Sequence, residues 1–158
     1  MPVQLDDAEI TALIEEAKPL PANYRGLIQT KAKSGHKERE LDVLGASGNE
    51  FRLILRQSNF NSLDFSVILA YRPPKSSQLF RLRRYNGKSH THTNILEKQT
   101  FYDFHVHMAT ARYQQESGLR EDSYAETTVR YADFNGAIQC ALDDCGFVLP
   151  EYDQPALF

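Results

Sequence analysis

The chain contains no tryptophan and only two cysteines among its 158 residues. Cys140 and Cys145 are too few for a disulfide framework, and their spacing is not that of a CxxC zinc or redox motif. We therefore expect both to be reduced side chains that pack in the interior. No apolar run approaches the ~18 residues that a transmembrane helix needs, and the first residues lack a basic segment followed by an apolar one. These absences predict a cytoplasmic protein without a membrane span.

Several enzyme motifs are also absent. The sequence has no glycine-rich phosphate loop, no nucleophile elbow and no zinc-finger set of cysteines. Its composition, with 41% hydrophobic and 11% aromatic residues, is that of an ordinary globular protein. The length favours a single domain over residues 1–158, with residues 150–158 as a flexible tail.

The hydrophobic pattern predicts an α+β fold. A helix begins at the N-cap residue Asp6 and ends before Pro19. Further helices are predicted over residues 109–117 and from the N-cap residue Asp133 to Gly146. Strands, indicated by alternating apolar and polar residues, are predicted over residues 38–44, 51–56, 65–71, 78–85 and 101–108. Because the connections are short, we expect an antiparallel sheet of four to five strands with an N-terminal helix and C-terminal helices.

Four of the five histidines form two His-x-His pairs, His90/His92 and His105/His107. Alternate side chains of a strand point the same way, so each pair would present two imidazoles on one face. In the fifth predicted strand, the apolar residues at even-numbered positions form the core face. His105 and His107 then face away from the core, together with Asp103.

Two chemistries fit this pattern, because histidine titrates near neutral pH and is also the commonest metal ligand. In the first, a metal-independent endoribonuclease without a cofactor, His105 and His107 act as general base and acid. His90 or His92 assists them, and Asp103 orients an imidazole. In the second, His90, His92, His105 and His107 hold a divalent metal such as zinc.

Cationic residues surround the first histidine pair. Arg83, Arg84 and Lys88 are expected to contact the phosphate groups of a bound RNA, and Tyr85 to stack on it or donate a hydrogen bond. Acidic residues outnumber basic ones in the last third of the chain. An alternative is therefore a non-enzymatic protein, such as a phage or plasmid anti-defence inhibitor, that docks an acidic helical face on a basic partner.

Two segments carry a family resemblance. The stretch RYNGKSHTHTN from Arg84 to Asn94, followed by FYDFHVH from Phe101 to His107, is similar to an uncharacterised family of bacterial and phage-borne domains. The same region distantly resembles the TumE family of toxins from toxin–antitoxin systems. The resemblance implies a small cytoplasmic α+β toxin, a ribonuclease that a partner antitoxin neutralises.

Overall fold

The structure, a computed structural model, describes residues 3–150. Within that range the helices are α1 (Asp7–Glu15), α2 (Tyr24–Leu27), α3 (Ala111–Gln114) and α4 (Phe134–Asp144). The strands are β1 (Lys18–Pro19), β2 (Lys31–Ala32), β3 (His36–Leu44), β4 (Glu50–Ser58), β5 (Phe65–Arg72), β6 (Phe80–Asn86), β7 (His92–Asn94), β8 (Gln99–Phe101), β9 (His105–Met108), β10 (Tyr124–Thr127) and β11 (Phe147–Val148). None of the described helices is long and apolar enough to cross a membrane. Of the expected tail, residues 151–158 lie outside the described range.

The main sheet has seven strands in the order β10-β9-β6-β5-β4-β3-β2, and every neighbouring pair is antiparallel. The predicted α+β class and the antiparallel meander are confirmed. The predicted count of four to five strands is too low, because the edge strands β2 and β10 were not recognised. With two and four residues, these strands are too short to show a readable alternation.

The hydrophobic core lies on one face of this sheet, where α1 and α4 cover it. Both predicted N-caps are confirmed. The Asp6 side chain accepts a hydrogen bond from the backbone N–H of Glu9, and that of Asp133 accepts one from Gly136. The predicted helix over 109–117 is only the single turn α3. The helix α4 ends at Asp144, close to the predicted stop at Gly146. Both termini of α4 were therefore predictable from the sequence, while the length of α3 was not.

The predicted fifth strand, residues 101–108, is in fact two strands. The chain bends at residues 102–104, so Phe101 ends the β7–β8 hairpin and His105 begins β9. Val106 is buried in the core as expected, but Tyr102 is 52% exposed. His105 and His107 do lie on the face opposite the core. They are not exposed there, because the β7–β8 hairpin covers that face.

Lys18 joins the two core helices through a buried ammonium group. Its side chain is fully buried, although it carries a charge. Four backbone carbonyl oxygens lie within 2.9 Å of its Nζ atom, those of Leu13, Ile14, Glu16 and Cys145. Burial lowers the pKa of Lys18 to about 8, so the ammonium form prevails at neutral pH. The cation thus satisfies carbonyl groups at the C-terminal ends of α1 and α4.

Gly87 allows a close approach between two loops. The Asn86-Gly87 pair is a turn signal in the sequence. In the structure, glycine is needed at position 87 because there is no room for a side chain. A Cβ atom on Gly87 would lie 1.8 Å from the carbonyl oxygen of Leu63.

We expect Gly87→Ala to lower the free energy of unfolding by about 2–3 kcal/mol, because the backbone must shift to accept the methyl group. Urea denaturation measures this change. Gly26→Ala is the matched control, since a Cβ atom there meets nothing within 4 Å. Equal stabilities of the two variants would contradict the steric explanation.

Candidate functional site

Three histidine rings from the two pairs meet beneath the β7–β8 hairpin. His92 begins β7, and His105 and His107 lie on β9. The ring centroids are 4.7 Å apart for His92 and His107, 5.4 Å for His92 and His105, and 5.0 Å for His105 and His107. One ring nitrogen of each histidine lies within 4.8 Å of those of the other two. The hairpin thus brings the two sequence motifs into one cluster.

The two rings on β9 are held by backbone carbonyl groups. His105 donates from Nδ1 to the carbonyl oxygen of Asp103 at 2.7 Å, and His107 donates from Nδ1 to that of Asp122 at 2.7 Å. A carbonyl oxygen can only accept, so each Nδ1 carries the proton and each neutral ring keeps its lone pair on Nε2. The Nε2 atom of His105 is buried and has no hydrogen-bond partner among the described residues.

The third ring is held by a side-chain amide. His92 Nε2 lies 2.8 Å from Asn94 Oδ1. The Asn94 amide is fixed in turn by the backbone of Ala125, since its Oδ1 accepts from the Ala125 N–H at 2.9 Å and its Nδ2 donates to the Ala125 carbonyl at 2.7 Å. His92 therefore donates from Nε2 and keeps its lone pair on Nδ1. The same amide attaches the hairpin to the edge strand β10.

Burial keeps the two β9 imidazoles neutral. His105 is fully buried and His107 is 4% exposed. Burial lowers the pKa of His105 to about 4, and burial together with the positive charge of Arg84 lowers the pKa of His107 to about 2. At neutral pH, both rings are available as lone-pair donors rather than as acids.

Arg84 is a cation whose charge acts on both β9 imidazoles. It lies directly opposite His107 in the β6–β9 pairing, so both side chains are on the same face of the sheet. Its Nε atom donates to Asp122 Oδ2 at 3.1 Å, and Arg81 reaches the other oxygen of this buried carboxylate at 3.2 Å. In a regular strand, residues 81 and 84 would face opposite ways. The pairing of β5 and β6 is irregular, with one extra residue in β6, and this puts both arginines on one face.

A pocket of about 250 Å³ opens beside the cluster. Its polar wall includes Arg84, His90, His92 and His107, and its other lining residues are Thr93, Ile95, Tyr113, Leu119 and Ser123. His105 lies deeper, packed against the edge of the Phe101 ring. The cluster therefore has one side closed by an aromatic ring and another side that a small molecule can reach.

The structure separates other predicted site residues from the cluster. The side chains of Arg83 and Tyr85 lie on the core face of β6, where the Tyr85 hydroxyl donates to Asp144 at 2.8 Å. Lys88 lies over the ring of Tyr102 and is not one of the residues that line the pocket. Arg83, Tyr85 and Lys88 are thus not among the residues that line the pocket beside the histidines, and their contact with a substrate stays a prediction.

Two further predicted residues occupy altered positions. The Asp103 side chain is exposed in the bend, and the group that orients His105 is the Asp103 backbone carbonyl, not its carboxylate. His90 is exposed at the pocket rim, with its ring centroid 5.8 Å from that of His105. His90 lies outside the group of three whose nitrogens converge.

Asp122 and Phe101 are site residues that the sequence reasoning missed. Asp122 holds His107 through its backbone and both arginines through its carboxylate. Phe101 packs against His92 and His105, with ring centroids 5.4 and 5.6 Å away. Nothing in the local pattern around Asp122 indicates its contact with residues 15 to 41 positions earlier in the chain. Phe101 lies only four residues before His105 in the sequence. It was predicted to lie in the same strand as the second histidine pair, whereas it ends β8.

The chain was compared with protein families, curated proteins and solved structures. No protein-family model, no curated protein and no solved structure matches this chain.

Proposed function

We propose that this protein is a metalloprotein in which His92, His105 and His107 bind one divalent transition-metal ion such as zinc. The observations that carry the proposal are the convergence of one nitrogen from each of three rings within 4.8 Å and the oxygen acceptor that holds one nitrogen of every ring. Metal-ligating histidines commonly donate their second N–H to a carbonyl or carboxylate, which fixes the tautomer and aims the lone pair. Three such rings make a known ligand set for zinc.

The spacing of the rings fits a metal site that closes on its ion. Zinc holds imidazole nitrogens at about 2.1 Å, which puts two ligands of a tetrahedral site about 3.4 Å apart. The three nitrogens therefore need to approach one another by about 1.4 Å at most from their present 4.8 Å limit. His92 lies on the hairpin and is only half-buried, so a rotation of its side chain can bring its nitrogen closer to the two β9 rings.

The unpartnered nitrogen of His105 supports the same proposal. A buried polar atom without a hydrogen bond costs free energy, and such atoms are rare in folded proteins. A metal ion would supply the missing partner. Three protein ligands would also leave a coordination position toward the pocket, where a bound ion would act as a Lewis acid on a ligand oxygen.

The direct test is elemental analysis of protein produced without a histidine tag. We expect about one equivalent of zinc per chain after dialysis against zinc, removal by a strong chelator, and recovery on re-addition. We also expect the midpoint of thermal unfolding to rise with zinc concentration, because the ion binds only the folded chain. A preparation that retains no zinc after dialysis would contradict the proposal.

Replacing Asn94 tests the outer support of the cluster. Asn94→Ala removes the acceptor of His92 and one attachment of the hairpin, so we expect zinc affinity to fall by about 10–100-fold while the fold is retained. Competition with a chromophoric chelator measures the affinity. Asn59→Ala is the control, because Asn59 is exposed in a loop outside the cluster. An unchanged affinity in Asn94→Ala would mean that this amide does not support a ligand.

The metal-independent ribonuclease toxin with its antitoxin partner and the anti-defence inhibitor remain hypotheses. The buried, neutral rings of His105 and His107 support the acid role less well than the ligand role. In a ribonuclease, the proton donor would more reasonably be the exposed His90. RNA cleavage that persists in excess chelator would favour the ribonuclease. We also retain the cytoplasmic location as a proposal, supported by the free, buried thiols of Cys140 and Cys145.

A further inference from the structure

We infer that the pocket beside His107 binds a small ligand through a carboxylate or phosphate group, held between the Arg84 guanidinium and the metal. This inference rests on the proposed metal site, and it names the chemical class of ligand for that site. It starts from a feature that a metal site alone does not explain, a guanidinium placed directly opposite one of the ligands.

Part of the Arg84 guanidinium is available to bind a ligand. Its Nε atom is engaged by Asp122, whereas the remaining N–H groups of its guanidinium make no hydrogen bond to another described residue. The side chain is 25% exposed and lines the pocket. A planar guanidinium held at one edge presents a fork of N–H groups, which matches the two oxygens of a carboxylate or phosphate. The hydrogen bond to Asp122 fixes the orientation of the Arg84 guanidinium before any ligand binds.

The local charge favours an anion. Arg81, Arg84 and Arg120 lie near one another, and Arg81 and Arg84 pair with the acidic residues Glu121 and Asp122. The sum of these five side chains is one positive charge, and a divalent ion on three neutral imidazoles would raise it to three. Like charges at such short range repel strongly in a partly buried site. An anion that touches both the metal and the guanidinium relieves this repulsion.

The pocket also limits the size of the ligand. A volume of about 250 Å³ lies below the ~300–1,000 Å³ of sites for drug-sized molecules. Ile95, Leu119 and Tyr113 add apolar surface to the pocket lining. The expected ligand therefore has one oxyanion group and a short body, which excludes a polymer lying within the pocket.

The matched variants are Arg84→Gln and Arg81→Gln. Both arginines pair with Asp122, but only Arg84 lines the pocket. Each protein is loaded with Co²⁺, whose visible absorption reports bound metal and changes when an anion enters the coordination sphere. Inorganic phosphate and acetate are then titrated separately, so that the two arms distinguish a phosphate from a carboxylate ligand.

We expect at least one of the two anions to change the spectrum of the unaltered protein. In Arg84→Gln, its dissociation constant should rise at least tenfold, while the affinity for Co²⁺ stays equal or increases because a nearby positive charge is lost. Arg81→Gln should match the unaltered protein within threefold. Should Arg84→Gln fail to fold, Arg84→Lys keeps the charge, loses the fork and should show a smaller rise.

The outcomes separate the two proposals. Absence of Co²⁺ binding in the unaltered protein would refute the metal site itself. Stoichiometric Co²⁺ that responds to neither anion would overturn the inference about the ligand and leave the metal site standing. Equal losses of anion affinity in Arg84→Gln and Arg81→Gln would assign the effect to the ion pairs with Asp122, and that result would also overturn it.

Discussion

The His92→Ala variant is expected to lose its tightly bound metal, with the zinc dissociation constant rising at least about 100-fold. Structural zinc sites with four ligands bind with about 10–16 kcal/mol, so each ligand contributes on average about 3 kcal/mol, or roughly two powers of ten. His92 is the best choice of the three ligands, because it is half-buried on the hairpin and its removal leaves the core face of β9 untouched. The measurement is metal content after dialysis, with competition titration for the affinity.

Two other histidines serve as controls for this result. His36 begins β3 and contacts Glu38, away from the cluster, so His36→Ala should leave zinc affinity unchanged. His90→Ala should change it less than threefold, because the His90 ring lies outside the converging group. A large loss in His90→Ala would show instead that all four histidines of the two pairs bind the ion. Unchanged metal content in His92→Ala would eliminate the proposed ligand set.

The Lys18→Met variant is expected to unfold with a free energy about 3–5 kcal/mol lower than that of the unaltered protein. The substitution conserves length and apolar contacts but removes the ammonium group that donates to the ends of both α1 and α4. The carbonyl oxygens belong to the backbone and cannot be removed with it, so they remain buried without a partner. Nζ also lies 4.4 Å from the centroid of the Phe51 ring, and this cation–π contact is lost as well.

Urea denaturation followed by far-ultraviolet circular dichroism measures the effect. Lys31→Met is the matched control, because Lys31 is exposed on the short edge strand β2, and it should change stability by less than about 0.5 kcal/mol. If Lys18→Met were as stable as the control, the buried ammonium would contribute nothing net to holding the helices together.

The sequence was sufficient for the long, regular parts of the fold. The alternation in β3 to β5 is sustained over eight to nine residues, and the caps Asp6 and Asp133 are local signals that depend on the next three residues. The shared face of His105 and His107 was predictable for the same reason, since it follows from the two-residue period of a strand. These features are determined by neighbours in the chain.

The rest of the site depends on contacts that are distant in sequence. Residues 102–108 show an unbroken alternation, so nothing in them indicates the bend that moves Phe101 into the hairpin and leaves the Asp103 carboxylate in solvent. Arg83 and Tyr85 are neighbours of Arg84 in sequence, yet they face the core because strand side chains alternate. The support of His107 by the Asp122 carbonyl joins residues 15 positions apart, and it follows from the path of a loop and not from a local pattern.

The extra residue in β6 has a consequence for recognising distant relatives. Arg81 and Arg84 face the same way only because Leu82 is inserted into the pairing with β5. A relative with a regular strand would carry the equivalent cations as Arg-x-Arg and not Arg-x-x-Arg. An alignment without a gap could match only one of the two arginines, even though both guanidinium groups would occupy the same places in space. A search for related proteins should therefore allow either spacing upstream of the first histidine pair.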